Sequence, residues 1–242
     1  MNICIDQGNT AIKIGIFEDE TLRETHTLSS DQHTQALDYL KSIVNNASSI
    51  ILSSVAEVDL DINILNPKYL VKFSHLTAIP IINHYKTPDS LGKDRLANAI
   101  AAWSMNKGKN SLVIDCGTCI KYDAVDAKGN YFGGAISPGL RMRYRALHDY
   151  TGKLPLLEST NNVLATGTNT TESIQAGVEN GILDEIKGFI HRYTQQYSDL
   201  TIFMTGGDLA HFDKAFKNSI FAIPELTLTG LNEILRYHAE KN

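Results

Sequence analysis

Short apolar runs separated by turn residues open the chain, and the same arrangement returns in its middle. Three runs of strand length follow one another near the N-terminus: 2–6, 11–17 and 21–28. Three more follow in the middle: 112–115, 120–125 and 131–136. Glycine or a cluster of polar residues separates neighbouring runs, as expected between the strands of hairpins. The pattern therefore predicts two three-stranded meanders.

Helical spacing of apolar residues follows each meander. The predicted helices are 31–44, 94–105, 138–147, 172–197 with a break at Gly188, and 226–238. Single strands are predicted at 50–55 and 200–204, and a loop rich in Ser, Thr and Asn at 159–171. Three strands, a helix, a strand and a helix, found twice, predict a duplicated α/β fold with a catalytic cleft between its halves. The predicted halves are residues 1–110 and 111–242.

The first hairpin of each meander carries an Asp, then X-Gly, then a Thr. The two strings are Asp6-Gln7-Gly8-Asn9-Thr10 and Asp115-Cys116-Gly117-Thr118. Glycine lets backbone N–H groups approach an anion, the Thr hydroxyl adds a donor, and the Asp can hold a cation or its water shell. One such string is common in proteins. Two matching copies between apolar strands predict a site for the phosphates of a nucleotide and its metal.

A lysine follows each turn, Lys13 in the first copy and Lys121 in the second. Either ammonium could reach a phosphate as a point charge. The alternative is a solvated strand residue, which is the favoured interpretation for Lys121.

The nucleotide site has to be assembled from several turns, because the sequence has neither G-x-x-x-x-G-K-[ST] nor G-x-G-x-x-G. Gly206-Gly207 at a strand-to-helix junction is the predicted third turn. Paired glycines there would let an adenine lie flat against the backbone. The alternative for this pair is a tight turn without a ligand.

A pocket wall is predicted where an aromatic and a Pro- and Gly-containing loop precede a helix, from Tyr85 to Arg95. Asp94 could accept a proton from a substrate hydroxyl, and Arg95 could hold a carboxylate or the transferred phosphate. The alternative for this pair is a helix N-cap and a surface ion pair. For the stretch Thr168–Ile174 the alternative to a functional role is a plain N-cap, with Thr171 or Thr170 capping the next long helix.

The composition is that of an ordinary globular protein, with 242 residues, 43% hydrophobic and 20% charged. The net charge of -5 argues against a broad nucleic-acid-binding surface. No apolar run approaches the ~20 residues that span a bilayer, and no signal peptide is visible. We therefore expect a cytoplasmic protein that binds neither nucleic acid nor membrane. Cys116 and Cys119 form a C-x-x-C without the further ligands of a zinc site, so a metal or redox role is disfavoured.

Taken together, these strings resemble the type III pantothenate kinase family of the acetate/sugar kinase, heat-shock protein 70 and actin superfamily. The resemblance runs from Asp6 to Asp208. Its motifs occur in the expected order: Asp6–Thr10, Tyr85 with Gly92–Arg95, Asp115–Thr118, Gly133–Gly139, Asn169-Thr170 and Gly206–Asp208. Six motifs in order are specific, whereas any one is weak.

The resemblance implies two ribonuclease-H-like halves, a homodimer with pockets shared across its interface, and ATP-dependent phosphorylation of pantothenate, the first committed step to coenzyme A. It also implies a divalent cation such as Mg²⁺ and a monovalent cation, K⁺ or NH₄⁺. The implied residues are Asp94 as base; Asp6, Gln7, Gly8, Asn9, Thr10, Ala11, Ile12, Lys13 and Thr118 for ATP; Tyr85, Gly92, Lys93, Asp94, Arg95 and Thr170 for the substrate; and Asp115 for the monovalent cation.

One departure concerns the second turn, where Cys119 and Lys121 stand in place of the Ala and Thr that are common in the family. This puts the cation requirement in question. Two alternatives stay open: another small-molecule kinase of the superfamily, and a regulatory protein that keeps the nucleotide fold without the activity.

Overall fold

The computed structural model describes residues 1–56, 60–216 and 220–240. The strands are β1 (Asn2–Gln7), β2 (Ala11–Glu18), β3 (Thr21–Ser29), β4 (Ser49–Ser54), β5 (Leu70–Lys72), β6 (Ile82–Asn83), β7 (Ser111–Cys116), β8 (Cys119–Val125), β9 (Asn130–Pro138), β10 (Thr201–Thr205) and β11 (Phe221–Ala222). The α-helices are α1 (His33–Ile43), α2 (Lys93–Met105), α3 (Leu140–Asp149), α4 (Thr170–Gln175), α5 (Gly181–Gln196), α6 (Leu209–Phe212) and α7 (Leu226–Ala239). Both predicted meanders are confirmed.

The long helix predicted over 172–197 is interrupted in the structure at a different position from the predicted one. A wider helical turn, Ala176–Asn180, separates α4 from α5, and α5 runs without interruption through Gly188. The predicted break at Gly188 is therefore wrong. Glycine costs only ~1 kcal/mol relative to alanine inside a helix. The burial of Ile182 and Ile186 on the inner face of α5 outweighs that cost, because tertiary packing supplies most helical stability.

The chain folds into two compact units. The first comprises residues 1–107, 129–132 and the C-terminal segment from Glu225, and the second comprises residues 108–128 and 133–224. The chain first passes into the second unit at Gly108, close to the predicted boundary at 110, but α7 returns to the first unit. The division into domains at residue 110 stays a prediction.

The first unit is built on a five-stranded sheet in the order β3-β2-β1-β4-β5. Central β1 is antiparallel to β2 and parallel to β4. Side chains alternate between the two faces, as strand geometry requires: Ile3 and Ile5 pack with α1, whereas Cys4 packs with α2 and α7. A helix layer thus covers each face of this sheet.

The second unit repeats that strand order as β9-β8-β7-β10-β11. Central β7 is antiparallel to β8 and parallel to β10, which are the same orientations as around β1. Residues of α3, α4 and α5 pack with the sheet in one cluster with Ile114, Ile120 and Met204. The short β6 pairs in parallel with Asn130 and Tyr131, the start of β9, which belong to the first unit. The predicted duplicated α/β fold is confirmed.

The close packing of α2 against α7 predicts that an added side chain at Gly230 lowers the stability of the protein. A Cβ at Gly230 of α7 would lie 1.9 Å from the carbonyl oxygen of Ala97 in α2, so Gly230→Ala forces the two helix backbones apart. We expect the free energy of unfolding to fall by about 1–3 kcal/mol, as for overpacked cores. The control is Gly188→Ala, where a Cβ meets nothing within 4 Å and a gain of ~0.5–1 kcal/mol is expected. Urea unfolding measures both, and equal stability of the two variants would contradict this account of the packing.

Candidate functional site

The first Asp-X-Gly turn is formed as predicted. Asp6 of β1 lies directly opposite Lys13 of β2, and the N–H of Gly8 donates to the carbonyl oxygen of Ala11 at 2.9 Å. Asn9 and Thr10 at the tip of the turn are exposed. The backbone at this tip is thus open to a ligand.

Two residues that the resemblance assigns to ATP are turned inward. The Gln7 side chain is fully buried, and its amide oxygen accepts from the N–H of Leu60 at 2.9 Å. Ile12 is also fully buried and belongs to the core cluster with α1. Both residues are fully buried, backbone included, so neither offers an exposed atom to a nucleotide in this structure.

The Gly92–Arg95 motif lies beside the first turn within the same unit. The ammonium of Lys93, the first residue of α2, donates to the carbonyl oxygen of Ser54 at 2.8 Å. Ser54 is the parallel partner of Gln7. This hydrogen bond holds the start of α2 at the end of the strand that adjoins the first turn.

Asp94 lies in the first turn of α2, and Gly92 holds the N-cap position. A Cβ at Gly92 would be only 2.6 Å from Oδ1 of Asp94, so glycine makes room for the carboxylate. Arg95 is 5% exposed, with its guanidinium carbon 5.5 Å from the centre of the Tyr85 ring, a cation–π contact. The alternative of an N-cap with a surface ion pair is wrong, because Gly92 is the cap and Arg95 is buried.

The second turn repeats the register of the first. Asp115 lies opposite Lys121, the N–H of Gly117 donates to the carbonyl oxygen of Cys119 at 3.1 Å, and Thr118 is exposed at the tip.

Two glycine segments of the second unit pack on this turn. The N–H of Gly139 donates to the carbonyl oxygen of Thr118 at 3.1 Å, and a Cβ there would be 2.2 Å from the Gly117 carbonyl oxygen. Gly206 has a φ of +101°, and its Cβ would be 2.3 Å from the carbonyl oxygen of Cys116. The N–H of Asp208 donates to that same oxygen at 2.8 Å. The third, fourth and sixth motifs therefore meet here.

Lys121 is not a solvated strand residue, and the favoured interpretation from the sequence is wrong. Its ammonium lies 2.8 Å from Oδ2 of Asp115, with the two side chains 19% and 13% exposed. Residues directly opposite each other on antiparallel strands have side chains on the same face, which explains the contact. A K⁺ or NH₄⁺ ion does not fit at Oδ2 as the residues stand, because the lysine ammonium already lies there.

The Cys116 thiol is unsuited to thiolate chemistry. Burial, with a smaller effect of nearby Asp115, raises the pKa of Cys116 far above its usual range. A thiol has to ionise to act as a nucleophile or a ligand. Across residues 1–56, 60–216 and 220–240, no group of three or more His, Cys, Asp or Glu side chains is placed to hold a metal by itself.

Thr170 is the first residue of α4, and Asn169 is its N-cap, accepting from the N–H of Glu172 at 3.0 Å. The alternative in which Thr170 or Thr171 caps the helix is therefore wrong. Thr168, Asn169 and Thr170 line one side of a groove of about 980 Å³ in the second unit. Its other lining residues include apolar side chains of α3 and the segments beside it: Leu147, Tyr150, Leu154, Ile174 and Val178.

Glu179 is a polar residue of this region that the sequence patterns do not mark. It is 2% exposed and accepts from the Tyr144 hydroxyl at 2.8 Å and the Thr160 N–H at 3.1 Å. His211 Nε2 lies 2.7 Å from its other oxygen. Glu179 thus ties α3, the loop before α4 and α6 together, and these contacts could not be foreseen because they join distant parts of the chain.

Comparison with known proteins identifies the family of this chain. The model of the type III pantothenate kinase family matches residues 2–192. The type III pantothenate kinase of Bacteroides fragilis is 42% identical to this chain over 98% of both proteins. The chain belongs to the type III pantothenate kinase family. It is therefore a kinase, a phosphotransferase that carries its motifs at Asp6, Asp94 and Asp115.

Solved structures show the fold class of this kinase. A protein of Campylobacter jejuni described as a Baf family transcriptional activator superposes with a TM-score of 0.63 at 20% identity, over 98% of this chain and 99% of that one. A Sinorhizobium meliloti protein described as a 2-dehydro-3-deoxygalactonokinase gives 0.60 at 13% identity, over 98% and 99%. These likenesses confirm the predicted class of ribonuclease-H-like halves and carry no further conclusion.

The two glycines of the third turn generate a prediction that separates structure from binding. Gly206→Ala should lower the melting temperature by several degrees, because of its positive φ and the Cys116 carbonyl oxygen, a strain of ~1–3 kcal/mol. Gly207→Ala should leave the melting temperature within ~1 °C, because a Cβ there meets nothing within 4 Å. If adenine lies flat on Gly207, that variant should instead raise the KM for ATP severalfold. An unchanged KM in a stable Gly207→Ala protein would favour the alternative of a turn without a ligand.

Proposed function

We propose that this kinase transfers the γ-phosphoryl group of ATP to the hydroxyl of pantothenate, giving 4'-phosphopantothenate, the first step of coenzyme A biosynthesis. The family match over residues 2–192 supports the reaction. The observation that carries the site assignment is the position of Asp94, at the start of α2 and joined to the first turn through the Lys93–Ser54 hydrogen bond.

Asp94 is proposed as the general base. It is partly exposed at the N-terminus of α2, where a carboxylate can meet a substrate hydroxyl and take its proton as the new O–P bond forms. Arg95 and Tyr85, which stack on one another, are proposed with Gly92, Lys93 and Thr170 to bind pantothenate. The guanidinium offers the paired donors that suit a carboxylate.

ATP is proposed to contact the open part of the first turn, Gly8 to Ala11, and the side chains of Asp6 and Lys13, together with Thr118 of the second turn. Asp6 ends β1 beside the open tip of the turn. One carboxylate together with phosphate oxygens is a usual ligand set for Mg²⁺, so Asp6 fits the divalent ion of the nucleotide. When bound, that ion offsets the charge that develops on the phosphates.

Asp115 is proposed to hold a monovalent positive charge close to the second turn. Its carboxylate is largely buried below the exposed Thr118. The resemblance names K⁺ or NH₄⁺ for this place.

A homodimer is proposed, with pockets that the partner completes. The apolar residues Leu140 and Tyr144 of α3 are buried within the second unit, so they are not available to an interface. Tyr150, which lines the groove and is 89% exposed, supports the proposal together with further exposed apolar side chains of the second unit: Met142, Leu156 and Leu164. An apolar surface of this kind is typical of subunit interfaces, and a permanent dimer should bury at least ~2,000 Å² in total.

The alternative is a regulatory protein that keeps the nucleotide fold without the activity. A protein of the same fold is described as a transcriptional activator. Asp6, Asp94 and Asp115 are all present, which favours a working enzyme over this alternative. The compact length of 242 residues and the Gly92–Arg95 motif argue against a sugar kinase. No helix among the described residues has the length and hydropathy to cross a membrane. The cytoplasm is the proposed location.

Replacing the proposed base tests the assignment of roles. Asp94→Asn keeps the shape of the side chain and removes its basicity, so we expect turnover to fall by ~10²–10⁴ while the ATP affinity stays within a fewfold. The matched control is Asp38→Asn, an exposed residue of α1 outside the proposed site, which should keep full turnover. Steady-state formation of phosphopantothenate measures both, and near-normal turnover of Asp94→Asn would remove Asp94 from the role of base.

Mixing two inactive chains tests the shared pockets. If Thr170 completes the pocket of the partner, an Asp94→Asn chain and a Thr170→Ala chain should each be weakly active, and their heterodimer should regain activity in one of its two pockets. Light scattering of the active protein at micromolar concentration should give the mass of a dimer. A monomeric mass in an active preparation would exclude this arrangement.

A further inference from the structure

The two Asp-X-Gly hairpins have the same register but differ in how their lysines are used. Asp6 faces Lys13 and Asp115 faces Lys121 in the two antiparallel pairs. In the first hairpin the ammonium of Lys13 lies 3.6 Å from Oε2 of Glu225. In the second the ammonium of Lys121 lies 2.8 Å from Oδ2 of Asp115. The same backbone thus places a positive charge on the strand-end carboxylate of the second turn.

The surroundings of Asp115 leave this carboxylate suited to its own lysine rather than to a separate ion. Oδ2 is in contact with the Lys121 ammonium. On the other side, the backbone of Gly206 lies so close that a Cβ there would be 2.6 Å from Oδ1. Large monovalent ions need several oxygen ligands around them, and here an ammonium and a backbone occupy the two sides of the carboxylate.

A lysine ammonium has the charge of K⁺ and the chemistry of NH₄⁺. The ammonium is tethered to the adjacent strand, so its contact with Asp115 does not involve the loss of translational freedom that accompanies binding of a free ion. Its effective concentration is also independent of the buffer. The ion pair is largely shielded from solvent, so added salt should screen it little.

We propose that the Lys121 ammonium is the resident monovalent cation of the second turn and that this kinase works without added K⁺ or NH₄⁺. Lys121 is then a positioning residue: it keeps Asp115 neutralised and holds the turn that carries Thr118 in the shape that receives a phosphate. This inference rests on the proposed role of the second turn in ATP binding.

The test compares initial rates in choline buffer with rates in the same buffer containing 100 mM KCl or NH₄Cl. The native protein should differ by less than twofold among the three. Lys121→Met, which keeps the length of the side chain and removes its charge, should lose at least ~10²-fold activity in choline, on the scale of losing one preorganised electrostatic group. K⁺ or NH₄⁺ should restore part of that loss. Lys121→Arg, which keeps the charge, should stay independent of K⁺.

Lys13→Met is the matched control, since it removes the corresponding lysine of the first hairpin. Whatever its activity, the control should show no new dependence on K⁺. A second readout needs no turnover: KCl should raise the melting temperature of Lys121→Met relative to choline chloride, because an ion that binds only the folded protein stabilises it. The native protein and Lys13→Met should show no such shift.

Two results would overturn the proposal. One is a native protein that needs K⁺ or NH₄⁺ for activity. The other is a Lys121→Met protein whose rate and melting temperature both stay unchanged when K⁺ or NH₄⁺ is added. Failure of the proposed function looks different. A native protein that fails to phosphorylate pantothenate in every buffer contradicts the function, while the melting-temperature comparison still decides whether Lys121 takes the place of the cation.

Discussion

The packing around the second Asp-X-Gly turn depends on the carbonyl oxygen of Cys116. This oxygen accepts the N–H of Asp208, and it lies where a side chain at Gly206 would have to be. From the other side, Gly139 packs on the carbonyl oxygens of the same turn. A buried backbone carbonyl needs a hydrogen-bond donor. The donors come from the start of α3 and the loop before α6, so both segments have to pack on the turn for it to be stable. That requirement explains why glycines far apart in the sequence belong to one site.

The two Asp-X-Gly hairpins have the same strand register but differ in the ion pairs that their lysines form. Around β1 the lysine is drawn to a glutamate that precedes α7, whereas around β7 it stays on its own hairpin. Asp6 lies beside an open turn, which suits a metal-bound nucleotide, while Asp115 already carries a cation. On the proposed function, one half of the pair serves the divalent ion and the other supplies its own positive charge.

Much of this could be predicted from the sequence, because strand alternation and the Asp-X-Gly strings depend on local geometry. The meanders, α2 and α7 follow from apolar spacing alone. Three features could not be predicted, since each depends on contacts between distant residues. Gly188 is kept helical by the burial of Ile182 and Ile186, and Arg95 is buried on Tyr85. Glu179 is paired with residues of three other segments. Lys121 is a separate case: its register with Asp115 follows from the hairpin and was available from the sequence.

The most direct test of the account is the release of ADP by the purified protein, followed with a coupled assay in the presence and absence of pantothenate. A kinase built on these motifs should release ADP only when pantothenate is present, with one phosphopantothenate formed for each ADP. ADP release that is the same without pantothenate, or that is matched when a hexose or acetate replaces it, would contradict the assignment of the substrate.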